Sequence, residues 1–120
     1  MEKAISYIVN NAIKEIGSII GTPLAVRLAC EEFERLRSIH KEMSVRMTKS
    51  GPAVRIRPNA SRKVSASILE GVVCSLMSAY SSVIGTVAET IITGVVERAA
   101  FNYGDRHPEI SRILDNMGKS

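Results

Sequence analysis

Aromatic residues are nearly missing from this 120-residue chain: there is no tryptophan, and Phe and Tyr together make up 4%. Its core must therefore be aliphatic, filled by Ile, Val, Leu, Met and Ala. No aromatic is interleaved with the chain's basic segment, which argues against a platform for stacking single-stranded bases. Cysteine is confined to Cys30 and Cys74. They lie far apart, form no Cys-x-x-Cys pair and follow no secretory leader, so the expectation is two buried thiols in a reducing cytoplasm, not a disulfide. Histidine is confined to His40 and His107. Neither sits in a His-Glu-x-x-His or Glu-x-x-His pattern, so zinc-protease and carboxylate-bridged di-iron chemistry lack their ligands. No Gly-x-Ser-x-Gly, Walker-type or Gly-x-Gly-x-x-Gly segment occurs either. The reading leans away from an enzyme without deciding the matter, and no metal or cofactor is implied.

Formal charge is missing from one long stretch, residues 71–88. That run approaches the length of a membrane span. It is interrupted by Ser75, Ser78, Ser81, Ser82 and Thr86 and bounded by Glu70 and Glu89. In a helix those hydroxyls spread around the cylinder, which fits a helix buried in a soluble bundle or oligomer better than a membrane span.

What is present suits one ordinary domain spanning residues 1–120, with 45% hydrophobic and 23% charged residues. Net charge is +4, unevenly placed. Residues 1–43 carry six bases and six acids, and residues 70–120 four bases and six acids. Residues 44–69 carry six bases and no acid: Arg46, Lys49, Arg55, Arg57, Arg62 and Lys63.

Periodicity sets out the elements. Ile5, Ile8, Val9, Ala12, Ile13, Ile16 and Ile20 recur at three- and four-residue steps and predict a helix over residues 3–20. Gly21 interrupts it. Thr22 is read as the N-cap of a second helix over 23–43, with Pro23 in its first turn and Leu24, Leu28, Phe33, Leu36 and Ile39 as its apolar stripe. Residues 44–58 change to a two-residue period around Gly51-Pro52 and read as a β-hairpin, an insertion at about 44–60 with Val45, Met47, Val54 and Ile56 on one face and the arginines on the other. A third helix starts near Ser61. Thr86-x-x-Glu89 fits a capping box and argues for a break at Gly85 ahead of a fourth helix. That helix is expected to end at a left-handed Gly104. Pro108 opens a short final helix, closed by Gly118. The expected fold is mainly α: a helical bundle of four main helices, a small hairpin insertion and a short C-terminal helix.

Residues 18–22 (Ser-Ile-Ile-Gly-Thr) resemble residues 82–86 (Ser-Val-Ile-Gly-Thr). Two readings are open: two helix–turn–helix units in a pseudo-symmetric bundle, or the coincidence that amphipathic helices look alike. Small residues Gly71, Ser75, Ala79, Ser82 and Gly85 recur near helical spacing. They suit a close-packed core helix and equally a self-association seam, and a homodimer is expected.

The leading functional reading is a non-enzymatic binding or regulatory module. It would meet nucleic acid or a phosphate-bearing ligand through Arg46, Lys49, Arg55, Arg57, Arg62 and Lys63, in a salt-sensitive, largely sequence-independent way. The bland counterpart is a solvated hairpin whose charges blunt a strand edge. A rival is a binder of a small apolar or acyl ligand, or an enzyme, with a pocket between the third and fourth helices, near Glu70, Tyr80 and Glu89. Against it, Glu70 and Glu89 also read as helix-end residues. A third is a structural subunit of a larger assembly. The cluster Asp105, His107 and Glu109 is explained by Pro108 as a helix start with favourable early acids.

Overall fold

Apolar spacing makes the first helix, and its end is set by a single residue. In the computed structural model, which describes residues 1–118, α1 (Glu2–Ile20) is followed by α2 (Thr22–Ile39), β1 (Met43–Thr48), β2 (Gly51–Ile56), α3 (Arg62–Ile84), α4 (Thr86–Tyr103) and α5 (Glu109–Gly118). The fold is the mainly α bundle expected, with its hairpin between the second and third helices. α1 buries Ala4, Ile5, Ile8, Val9, Ala12, Ile13 and Ile16.

Only Gly21 separates α1 from α2, and only Gly85 separates α3 from α4. Their φ values are 93° and 65°, which glycine adopts without a Cβ clash. Each amide donates to the carbonyl four residues back, Gly17 at 2.8 Å and Ser81 at 2.9 Å. The two similar pentapeptides thus each turn on one positive-φ glycine, with different ψ, 138° at Gly21 and −141° at Gly85. The caps differ from expectation: Thr22 and Thr86 are already helical, and the cap positions are Gly21 and Gly85, with no side-chain cap bond. One shared residue closes one helix and opens the next, so no position is left for an extended threonine cap, and the Thr86–Glu89 box does not form.

Cross-helix contacts fix the bundle's sense. The Tyr80 hydroxyl donates to the Ala25 carbonyl at 2.7 Å. A Cβ placed on Gly71 would lie 2.7 Å from Leu36 Cδ1. Residue numbers rise along α3 as they fall along α2, so these helices are antiparallel. The Tyr7 and Tyr103 rings meet edge to face at 5.7 Å, and Arg98 pairs with Glu15, which makes α4 antiparallel to α1. Both glycine turns therefore lie at one end of the bundle.

The α2 stripe is a correction. Ala25, Ala29, Phe33 and Leu36 are buried, Leu24 and Leu28 only partly, and Ile39 is exposed. Small alanines let Tyr80 reach the α2 backbone. α2 also ends earlier than expected, because Met43 is taken into β1, where it is buried.

The strands pair antiparallel, with Met43 opposite Ile56, Val45 opposite Val54 and Arg46 opposite Ala53. Alternation then puts Met43, Val45, Val54 and Ile56 on the face toward the helices and Arg46 and Arg55 on the other. The hairpin lies over the α1–α2 pair, where a Cβ on Gly51 would meet Ile13 and Val26. Met47 shares the inner face by register yet stays exposed, its sulfur 3.5 Å from the Cys30 thiol.

Ser61 caps α3, its hydroxyl accepting from the Val64 amide at 3.1 Å. By length and composition α3 could cross a membrane. In the bundle, Ile68, Val72, Leu76 and Ala79 bury its inner face. Gly104 caps α4 where expected, but in a right-handed conformation, at φ −61° and ψ −30°, and not the left-handed one. Pro108 further on disfavours a helical His107 and so opposes any continuation into α5. α5 then folds back on α4 with Ile110 fully buried.

Candidate functional site

α3 and α4 diverge from Gly85 with their apolar stripes turned to the core, and their outer faces enclose a groove of about 940 Å³. α3 lines it with Glu70, Val73, Cys74, Met77, Ser78 and Ser81, a run at three- and four-residue steps along one face. α4 lines it with Glu89, Thr90, Thr93, Gly94 and Glu97. Ile113 and Met117 of α5 complete the wall.

The groove has a chemical gradient. Val73 is buried and Met77, Ile113 and Met117 are half-buried, which makes an apolar floor. Glu70, Glu89 and Glu97 are exposed at the rim. Among the described residues, no Lys, Arg or His lines the groove. Glu89 and Glu97 are eight residues apart on one helix, a separation of about 12 Å along its axis. The Ser81 hydroxyl oxygen is buried without a hydrogen-bond partner among the described residues. Cys74 is exposed and Cys30 half-buried, so neither is the buried thiol expected; partial desolvation, and then the Glu70 charge, push the Cys74 thiol above its ordinary range. It is therefore a neutral group at neutral pH and a poor nucleophile.

Two of the three residues expected at this pocket, Glu70 and Glu89, line it. Tyr80 does not: its ring is fully buried and its hydroxyl is spent on Ala25. Burial pushes that phenol well above its ordinary range. Glu97 was missed, although Glu89, Thr93 and Glu97 follow at four-residue steps and so share a helix face.

The basic segment is distributed over three elements. Arg46 and Arg55 are diagonal neighbours on the outer hairpin face, and Arg57 follows, its amide donating to the Glu42 carbonyl at 2.9 Å. Lys49 is exposed at the hairpin turn, and Lys63 is exposed in the first turn of α3. Two of the six cations have carboxylate neighbours. Arg55 lies 3.9 Å from Glu2, and Arg62 Nε donates to Glu109 Oε1 at 2.7 Å. The second pair has a local reason. Arg62 sits at the positive end of the α3 dipole, and Glu109 supplies the compensating charge. Lys3, unremarked in the charge-balanced N-terminal segment, lines a second depression of about 570 Å³ together with Arg55, Ser6 and Asn10.

Burial acts to raise the Glu109 carboxyl, but the Arg62 hydrogen bond and charge outweigh it and hold the group below its ordinary range. Burial, with the chain's amino terminus next, lowers His107. Among the described residues, no three His, Cys, Asp or Glu side chains converge as a metal site. Comparison of the chain with protein-family models, with curated proteins and with solved structures returns no match.

Proposed function

We propose that this chain is a non-enzymatic binding module whose ligand lies in the groove between α3 and α4. The observation that carries this reading is the groove itself: about 940 Å³, with an apolar floor and a polar rim. That is the form and the upper size range of small-ligand sites, roughly 300–1,000 Å³. Gly94 provides the test. It lines the groove, and a Cβ there would meet only Arg98 Nη1, at 3.9 Å. Gly94→Trp therefore fills the groove without straining the helix. Nile red, a neutral apolar dye, binds the native chain with enhanced fluorescence and loses that enhancement in Gly94→Trp, whose thermal unfolding stays cooperative. Equal enhancement in both proteins would remove the groove as the site.

The reading through the basic segment keeps one specific support: Arg46 and Arg55 share an exposed hairpin face, and Lys3 lies beside Arg55 in a polar depression. It requires retention on heparin at low salt, and loss of that retention when Arg46 and Arg55 are both changed to Glu. The homodimer reading has its surface at the glycine-turn end. There Ile19, Val83 and Val87 are 52%, 47% and 50% exposed, and residues 16–26 and 71–88 carry no charge. Light scattering at dimer mass, shifting to monomer in Val83→Lys, is the result that supports it.

A further inference from the structure

We infer that the ligand of the α3–α4 groove is an amphipathic organic cation: an ammonium or amidinium group carried on an alkyl or ring body. The inference rests on the groove reading and adds the chemical class. Three carboxylates, from Glu70, Glu89 and Glu97, stand on the rim, and among the described residues no Lys, Arg or His lines the groove beside them. A fatty acid or a phosphate ester would enter against three like charges, whereas a cation enters with them. The Cys74 thiol responds to the same field, since Glu70 contributes to keeping it protonated.

An inorganic divalent ion fits poorly. It needs several oxygen ligands converging on one point, and among the described residues no three carboxylate, thiol or imidazole groups do so. The carboxylates are instead strung along the rim, with Glu89 and Glu97 about 12 Å apart along the helix axis. A cation held by such a rim must bring its own apolar surface. The floor accepts that surface: Val73 and Met77 from α3, Ile113 and Met117 from α5. Thioethers pack adaptably against alkyl and aromatic bodies of varied outline.

The experiment compares three ligands with one chain length and different heads: dodecylammonium, dodecanol and dodecanoate. Each is titrated calorimetrically at neutral pH and below its micelle concentration, into the native chain, into Gly94→Trp and into Glu70→Gln/Glu89→Gln/Glu97→Gln. The inference predicts dodecylammonium about tenfold tighter than dodecanol, with dodecanoate weakest. It predicts that the triple Gln variant brings dodecylammonium down to the alcohol while leaving the alcohol unchanged. Equal affinity for the three heads, or tightest binding of dodecanoate, overturns the cation class and leaves the groove reading intact. A cation preference that survives in the triple Gln variant also overturns it, because the charge then acts elsewhere. If no ligand binds the native chain, or Gly94→Trp binds all three unchanged, the groove reading falls as well.

Discussion

Gly71→Ala tests how α3 is turned against α2, and its sign depends on one neighbour. Alanine in a helix interior is favoured over glycine by about 0.8–1 kcal/mol. At this position the new Cβ would lie 2.7 Å from Leu36 Cδ1 and 3.3 Å from Cδ2, so Leu36 must shift. Leu36 is only 7% exposed and has little room to do so. Overpacking of this kind costs about 1–3 kcal/mol. The clash therefore wins, and the variant is destabilised by up to about 2 kcal/mol. In a Leu36→Ala background, itself about 2–5 kcal/mol less stable, the obstacle is gone. The same Gly71→Ala change then stabilises by about 0.5–1 kcal/mol. Urea unfolding followed by circular dichroism measures all four proteins, with an unchanged m-value showing that only stability has moved. The reversal of sign is the coupling that a double-mutant cycle isolates. If Gly71→Ala has the same sign in both backgrounds, Gly71 does not face Leu36. The placement of Glu70 and Cys74 on the outer, groove-lining side of α3 then loses its basis.

Three further outcomes follow from the same geometry. Gly85→Ala should destabilise by about 1–3 kcal/mol through the backbone alone, because a side chain there meets no atom within 4 Å and only the φ of 65° opposes it; a neutral effect in thermal unfolding would contradict this. Tyr80→Phe should cost about 0.5–1.5 kcal/mol for the lost bond to Ala25, against about 3–5 kcal/mol for Tyr80→Ala, and should leave Nile red affinity unchanged because Tyr80 lies outside the groove. The Glu109 carboxyl is held below its ordinary range in the folded chain, so its pairing with Arg62 stabilises fully above the unfolded carboxyl pKa of about 4.3 and is lost as pH falls through the folded value. The melting-temperature gap between the native chain and Glu109→Gln should accordingly narrow from pH 6 down to pH 3, and a gap that widens toward acid would reverse the assigned sign.

The parts of the fold that could be read in the sequence were those fixed by local chemistry. Ile5 to Ile16 repeat at helical steps whatever lies opposite them, the two-residue period of the hairpin survives its two paired strands, and Gly85 breaks the helix because its φ is positive. The errors share a cause in partners distant in sequence. Leu24 and Leu28 outrank Ala25 and Ala29 in hydrophobicity, yet the alanines are buried because Tyr80, 55 residues away, reaches the backbone at Ala25. Gly104 ends α4 where expected, but in a right-handed conformation. Of the groove, Glu70 and Glu89 were legible as the acids bounding a charge-free run. Tyr80 was placed with them because it falls in that run. Only the α2–α3 crossing shows that it faces the opposite way. Glu97 carried a four-residue spacing signal, whereas the α5 residues Ile113 and Met117 carried none, since nothing local says where α5 returns.

The claim that the α3–α4 groove holds an amphipathic cation is tested most directly by intermolecular nuclear Overhauser effects between unlabelled dodecylammonium and the isotope-labelled chain. The account predicts contacts from the alkyl chain to the methyl groups of Val73, Met77 and Ile113, and none to Ile19, Val83 or Val87 at the glycine-turn end. Saturable binding whose contacts fall on those three end residues, or on the hairpin, would contradict it.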